Sequence, residues 1–328
     1  MSSDTPGEQS GAERRISRRQ CAEAVLMVRP ASFGYNPETA ATNRLQRPPA
    51  SAGGAEAAEA RKEHDGLAAA LESEGISVCV VEDTPEPPKP DAVFPNNWVS
   101  FHEDGTVVLY PMQAGSRRRE RRREVIDAVA DRLGFAVTRT VDLTSHEARG
   151  RYLEGTGSLV LDHIERTAYA CISPRTDPHV VEEWCQELGY EPMVFRAADR
   201  AGVPLYHTNV LLCIGEKAAV VGAQAIIPPD CGRVIERLRG TGREVIEIGH
   251  AEIERFAGNM LELATWDEAL GDCRVLVMSE TARHALSAEA FARLSACTDE
   301  VLAVPAPAIE RLGGGSVRCM LAEVFLPS

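Results

Sequence analysis

Three side chains in this sequence, Cys319, His207 and Glu154, are of the types that together perform nucleophilic catalysis at an electron-poor carbon. A thiolate attacks such a carbon well at neutral pH, and a protonated histidine nearby favours the thiolate. The histidine can protonate a departing amine and then take a proton from water, while the carboxylate hydrogen-bonds a substrate nitrogen or carries a proton. Cys319 lies in Leu312-Gly313-Gly314-Gly315-Ser316-Val317-Arg318-Cys319-Met320, where three glycines remove side-chain bulk and permit positive φ ahead of an expected strand that begins at the cysteine. Each residue taken alone also has a structural reading. Cys319 is one of nine cysteines, His207 stands between Tyr206 and Thr208 as a core histidine could, and Glu154 could cap the turn made by Gly155 and Gly157.

Composition narrows the class. The chain of 328 residues is long enough for a large core, and 44% hydrophobic with 26% charged residues is ordinary for a globular protein. A formal charge of −14 argues against nucleic acid or an anionic membrane as partner. No two cysteines form a C-x-x-C pair and the eight histidines lack ligand spacing, so the expectation is reduced thiols, a cytoplasmic protein, no disulfide framework and no metal. No apolar run is long enough to span a bilayer. Residues 1–21 lack the apolar centre of a signal peptide and read as a disordered arm, leaving 22–328 as a single catalytic domain.

The elements that must position the three residues recur along the chain. Ala24 to Val28 is a strand, Ala55 to Glu74 a helix and Ile76 to Glu82 a strand; Thr84 to Pro90 is a stiff proline-rich connection. A hairpin turning at Glu103-Asp104-Gly105 follows, then a helix over Arg117 to Leu133 whose six arginines around Glu120 are expected to face solvent. Hairpin, helix and strand then repeat, for example as Ser158 to Ile172, Pro178 to Leu188 and Pro192 to Phe195. With Asn97, Gly157, His207, Asn259 and Cys319 as markers, the intervals are 60, 50, 52 and 60 residues. Five such units suggest a circular array closed by pairing the last strand with the first, with Asn96, Asn97, Glu154, His207, Asn209, Asn259 and Cys319 collected at its centre. Asn259 itself reads most simply as satisfying backbone in its turn. A doubly wound sheet would instead need a glycine-rich phosphate loop after an early strand, and the sequence has none.

Phe94-Pro95-Asn96-Asn97-Trp98, Glu154-Gly155-Thr156-Gly157, His207-Thr208-Asn209 and Gly313 to Met320, in that order, resemble the guanidino-group-modifying enzymes of the pentein superfamily. That superfamily includes arginine deiminases, dimethylarginine hydrolases and amidinotransferases, and the nearest branch looks like the citrulline utilization hydrolases. The resemblance spans roughly Ala24 to Pro327. It implies an α/β fold of ββαβ units arranged as a five-bladed pseudosymmetric α/β propeller. For the site it implies Cys319 as nucleophile, His207 as general acid and base, Glu154 on the substrate's terminal nitrogens, a covalent intermediate on sulfur, and no cofactor.

Arginine deiminases carry aspartates where this chain has Asn97 and Asn209. Exchanging both for amides removes the charge complement of a guanidinium and supplies donors for a ureido oxygen. The expected substrate is therefore a small ureido amino acid such as citrulline, cleaved to ornithine, ammonia and carbon dioxide. Asn96, Asn97, Asn209 and Asp91 are expected in its binding site. Asp91 and the arginines Arg149, Arg151, Arg175 and Arg318 are all possible holders of the amino-acid head group. An amidinotransferase or arginine-deiminase-type enzyme, and a silent pentein that only binds a ligand, are the alternatives; a homo-oligomer is possible.

Overall fold

The computed structural model describes residues 19–49, 55–269 and 271–326. Its strands fall into triplets of one design. β1 (Ala24–Arg29) pairs in parallel with β2 (Ser77–Glu82). β3 (Val99–Phe101) is antiparallel to β4 (Thr106–Leu109), which is parallel to β5 (Arg139–Asp142). The same antiparallel-then-parallel order recurs in β6 (Leu159–Asp162), β7 (Thr167–Cys171) and β8 (Glu191–Phe195). It recurs again in β9 (Leu212–Ile214), β10 (Ala218–Val221) and β11 (Glu244–Glu247), and in β12 (Leu261–Asp267), β13 (Gly271–Ser279) and β14 (Glu300–Val304). The last strand, β15 (Ala322–Val324), is antiparallel to β1 through Ala24↔Val324 and so completes the first triplet. A single parallel pair, Val324↔Phe101, joins that triplet to the next and makes one six-stranded sheet of the two.

Local sequence explains the helices that cover these sheets. Asp177 caps the helix Pro178–Leu188 by accepting from the amides of His179 and Val180, proline occupies the first turn, and Gly189 stops it at φ 71°. Its Val180, Val181, Trp184, Cys185 and Leu188 form the buried stripe. In the proline-rich connection, Lys89 is only 1% exposed. Its ammonium donates to Thr84 O and Thr84 Oγ1, both at 2.8 Å, and to Pro87 O at 2.9 Å. All three of its protons are thereby used, and the segment that carries Asp91 to Trp98 is fixed in place.

Four expectations change. The helix expected from Arg117 is two pieces: a 3₁₀ turn, Arg117–Glu120, and a helix, Arg123–Leu133. The arginine run is not wholly solvated, because Arg117 is buried. Cys319 does not begin a strand: a helix, Pro307–Gly313, ends at Gly314 (φ 60°), and a 3₁₀ turn, Val317–Met320, then carries the cysteine ahead of β15. Residues 19–21 of the expected arm are placed in the fold: Gln20 is buried, donating to Leu161 O (2.9 Å) and Ile214 O (3.1 Å) and accepting from His163 N. Residues 1–18 of the arm lie outside the described residues. All nine cysteines are free, and among the described residues no helix is long and apolar enough to cross a membrane.

Between β3, β4 and the Pro178–Leu188 helix, Ser100 Oγ bonds His102 Nε2 (2.8 Å) and the Tyr110 hydroxyl (2.7 Å), on which Trp184 Nε1 also donates (2.9 Å). Burial lowers the His102 pKa from 6.5 to about 4. As pH falls below 6.5 the unfolded chain therefore takes up a proton that the folded chain refuses until about pH 4. Stability is expected to fall across that window, by up to about 1.4 kcal/mol per pH unit for such a group. Urea melts between neutral pH and pH 4 check this; a His102→Gln variant should show a shallower decline, and parallel declines would remove His102 as its cause.

Candidate active site

Four of the five triplets are entered through a short helical turn, and these turns carry the expected site residues. Asn97 ends the 3₁₀ turn Pro95–Asn97, Glu154 precedes the turn Gly155–Ser158, His207 precedes Thr208–Val210, and Cys319 sits within Val317–Met320. A turn before a strand aims its side chains off the strand end, so the four converge. Two glycines make the convergence possible. A Cβ at Gly155, whose φ is +48°, would lie 2.1 Å from Asn96 O; one at Gly157 would lie 2.4 Å from Asn97 Nδ2 and 2.7 Å from His207 Nδ1.

Glu154 is fully buried and makes no cap bond. Its Oε2 is 2.9 Å from His207 Nε2, 3.4 Å from Arg175 Nη1 and 3.8 Å from Arg117 Nη1, and its Oε1 accepts from Gln113 N at 3.1 Å. Burial opposes its ionisation. The Arg175 charge, the His207 hydrogen bond and charge, and Arg117 outweigh that and hold the carboxyl well below the usual range. Burial lowers His207 to about 4 although Glu154 pulls the other way. The resting imidazole is therefore neutral, with its Nε2 proton donated to Glu154.

Cys319, His207, Asn97, Asp91, Arg117, Arg175 and Tyr206 line one narrow cavity. Its remaining wall comes from Phe94, the glycines 313–315 and the loop after β1, through Thr39, Asn43 and Gln46. That loop is held down over the site: Asn43 Nδ2 donates to Gly313 O and Gly314 O, Gln46 Nε2 donates to Gly313 O at 3.0 Å, and Asn36 Nδ2 donates to Asp91 Oδ2 at 2.7 Å. Tyr206 donates its hydroxyl to Gly314 O from the other side. The triple glycine is thus the floor on which the covering loop rests, since a Cβ at Gly314 would meet Asn43 and Gln46 at 2.7 Å.

Arg117 fixes the orientation of Asn97. Its Nη1 is 2.7 Å from the Asn97 side chain, and because a guanidinium has only donors, the facing atom is Oδ1. Asn97 Nδ2 is left buried with no partner, on the cavity wall. Arg117 also forks onto Glu120 (3.0 and 2.9 Å) and reaches Phe94 O (3.2 Å).

The other expected residues distribute unevenly. Asp91 and Arg175 reach the cavity. Asn209 does not line it but lies on Cys319, Nδ2 to Sγ 3.6 Å. Asn96 is buried behind the wall with both side-chain atoms unpartnered. Arg318 is turned away, onto Leu321 O (3.0 Å) and Glu323 (2.8 Å), and neither Arg149 nor Arg151 lines the cavity. The sequence reading missed Arg117, whose one signal was Glu120 interrupting the basic run, and it missed the covering loop, which has no periodicity to read. It underread Asn259, whose Nδ2 is 3.3 Å from Cys319 Sγ.

Residues 29–326 match the family profile described as N,N dimethylarginine dimethylhydrolase, eukaryotic. No curated protein sequence matches the chain significantly. Among solved structures, the apo form of ArgZ, an arginine dihydrolase from the ornithine-ammonia cycle in Cyanobacteria, superposes with TM-score 0.71 at 19% identity over 93% of this chain. The chain spans only 41% of that protein. It covers 98% of the N-terminal domain of ArgZ, seen as an asparagine-to-serine variant covalently bound to a reaction intermediate (TM-score 0.68, 18% identity). A histidine-to-glycine variant of dimethylarginine dimethylaminohydrolase, as its adduct with S-methyl-L-thiocitrulline, gives TM-score 0.60 at 18% identity over 92% of this chain and 99% of that one. These likenesses establish the fold. The family profile, matching nearly the whole chain, establishes that it belongs to the N,N dimethylarginine dimethylhydrolase family, within the guanidino-group-modifying pentein superfamily.

Proposed function

We propose that the chain is a cysteine hydrolase of a small ureido amino acid, citrulline or a close analogue. The observation that carries this reading is the unpartnered Nδ2 of Asn97, a residue of the cavity wall whose Oδ1 is taken by Arg117. A buried donor of this kind calls for an acceptor, which a ureido oxygen is and a guanidinium is not. A guanidinium there would also face two arginines, while Glu154 is already engaged by His207, Arg175 and Gln113 N. The cavity also holds Asp91 and Arg175, one carboxylate and one guanidinium, the complements of an α-ammonium and an α-carboxylate.

In the reaction so read, Cys319 sulfur adds to the ureido carbon as its proton passes to His207, and Glu154 offsets the imidazolium charge. Asn97 Nδ2 donates to the oxygen as it gains charge. His207 then protonates the departing ornithine nitrogen and the carbon–nitrogen bond breaks, leaving an S-carbamoyl group. Water, giving its proton to His207, releases carbamate, which falls apart to ammonia and carbon dioxide. The covalent intermediate recorded for the ArgZ domain supports this route. We read residues 22–328 as one catalytic domain, its five strand triplets forming the blades of a pseudosymmetric α/β propeller around this cavity.

A second reading, hydrolysis of a guanidino group, is favoured by the names of the relatives, an arginine dihydrolase and a dimethylarginine hydrolase. A dihydrolase acting on arginine would have to hydrolyse a ureido carbon in its second step, so the two readings share that half-reaction. Purified protein is expected to release ornithine and ammonia from citrulline supplied alone. Ornithine from both citrulline and arginine would mark the dihydrolase, and turnover of arginine without citrulline would overturn the inference from Asn97.

A further inference from the structure

The Cys319 sulfur is not hydrogen-bonded by the histidine that shares its cavity. Its hydrogen-bond partners are two carboxamides, with the nitrogens nearer, Asn259 Nδ2 at 3.3 Å and Asn209 Nδ2 at 3.6 Å, and the oxygens farther, Asn259 Oδ1 at 3.7 Å and Asn209 Oδ1 at 4.0 Å. The Asn259 amide cannot be turned the other way. Its Nδ2 is also 2.9 Å from the backbone oxygen of Asn209, an acceptor, so the nitrogen must be the atom that faces both groups. One N–H goes to that carbonyl and the other to sulfur. Asn259 is wholly buried, and a Cβ at the preceding Gly258 would lie 2.5 Å from Val210 O, so the amide is brought in by close backbone approach. The charged and titratable groups around the sulfur are Asp91, Arg117, Arg175, Tyr206 and His207 on the cavity wall, with Glu154 behind the histidine.

We propose that Asn259 is a catalytic residue whose carboxamide, together with that of Asn209, stabilises the thiolate that Cys319 becomes as its proton passes to His207. The proposal deepens the reading of Cys319 as nucleophile and rests on it. Two neutral donors stabilise an anion by directed hydrogen bonds, so the thiolate does not need a permanently protonated histidine, and His207 stays free to move protons. When the sulfur becomes the thioester-like sulfur of the carbamoyl intermediate it loses its charge and these donors lose their hold. The arrangement therefore favours the departure of the thiolate in the second half of the reaction as well.

The test follows alkylation of Cys319 by iodoacetamide against pH in the full chain, read by mass spectrometry of the Cys319 peptide. Asn259→Ala is expected to move the midpoint up by about one unit and slow alkylation at neutral pH about tenfold. Asn259→Asp, close in shape, should move it further, because a carboxylate opposes the thiolate directly. Curves that superimpose on the wild type, or a smaller shift for aspartate than for alanine, would mark Asn259 as filling space and overturn the proposal. Where Asn259→Ala fails to fold, the Asn259→Asp and Asn209→Ala curves carry the same comparison. Alkylation needs no substrate: shifted curves with no hydrolysis of citrulline or arginine would keep the thiolate role and remove the hydrolase, and hydrolysis with unmoved curves would do the reverse.

Discussion

Cys319→Ala is expected to lower citrulline turnover by about 10⁴-fold or more, the scale on which removing a covalent nucleophile acts. No other thiol can substitute. Of the nine cysteines only Cys319 lines the cavity, and Cys21, Cys171 and Cys213 are buried elsewhere, where burial pushes each thiol up and away from the reactive thiolate. The fold should survive the change. Cys319 is buried, but losing one sulfur atom costs about 1 kcal/mol of apolar burial, and the Asn259 amide it releases keeps its bond to the backbone oxygen of Asn209. Steady-state release of ornithine, with intact-protein mass spectrometry after rapid quenching, checks both halves. Wild type should carry a carbamoyl-sized adduct and the variant none. Turnover within about tenfold of wild type would show that the chemistry does not pass through sulfur.

The repeated part of this molecule could be read from residue types alone because its signals are local. Asp177, Pro178 and Gly189 mark both ends of a helix found at Pro178–Leu188, and the hairpins are bounded by turn residues such as Asp104-Gly105. The spacing of Asn97, Gly157, His207, Asn259 and Cys319 is likewise a one-dimensional property, and it located the turns that face the cavity. What the sequence hid is decided by direction and by distant partners. Arg318 adjoins Cys319, yet neighbours on a 3₁₀ turn point about a third of a turn apart, and its guanidinium reaches Glu323. Asn209 stands two residues from His207 and lands on the sulfur instead of the substrate space. Arg117 looks like any member of a solvated basic run until Asn97, twenty residues earlier, is placed beside it.

Arg117→Met is expected to be the most damaging single change outside the reacting atoms, at about 3–5 kcal/mol of stability. The guanidinium is 2% exposed and is the common counter-charge of Glu120 (2.9 Å), Glu154 (3.8 Å) and Asp91 (4.0 Å), so its loss leaves buried Glu120 without compensation and Glu154 and Asp91 with Arg175 alone. Even with Arg117 present, burial pushes Glu120 up to about 7, so ionising it already costs folding energy at neutral pH. Without the arginine its pKa must rise further, and a carboxyl raised in the folded state loses stability as pH climbs above its unfolded value near 4.5. The deficit of Arg117→Met should therefore be large in urea melts at about pH 8 and much smaller at about pH 5. Adding Glu120→Gln, which removes the charge and keeps the shape, should recover part of it, whereas Arg117→Lys should not rescue, since one ammonium cannot fork onto Glu120 and reach Asn97 together. Activity separates the structural from the specific role. In the double variant the Asn97 amide is free to turn, its Oδ1 can face the cavity, and citrulline should lose its advantage over arginine in kcat/KM. A double variant that regains stability yet keeps wild-type preference for citrulline would mean that Arg117 supports the fold without setting what the cavity accepts.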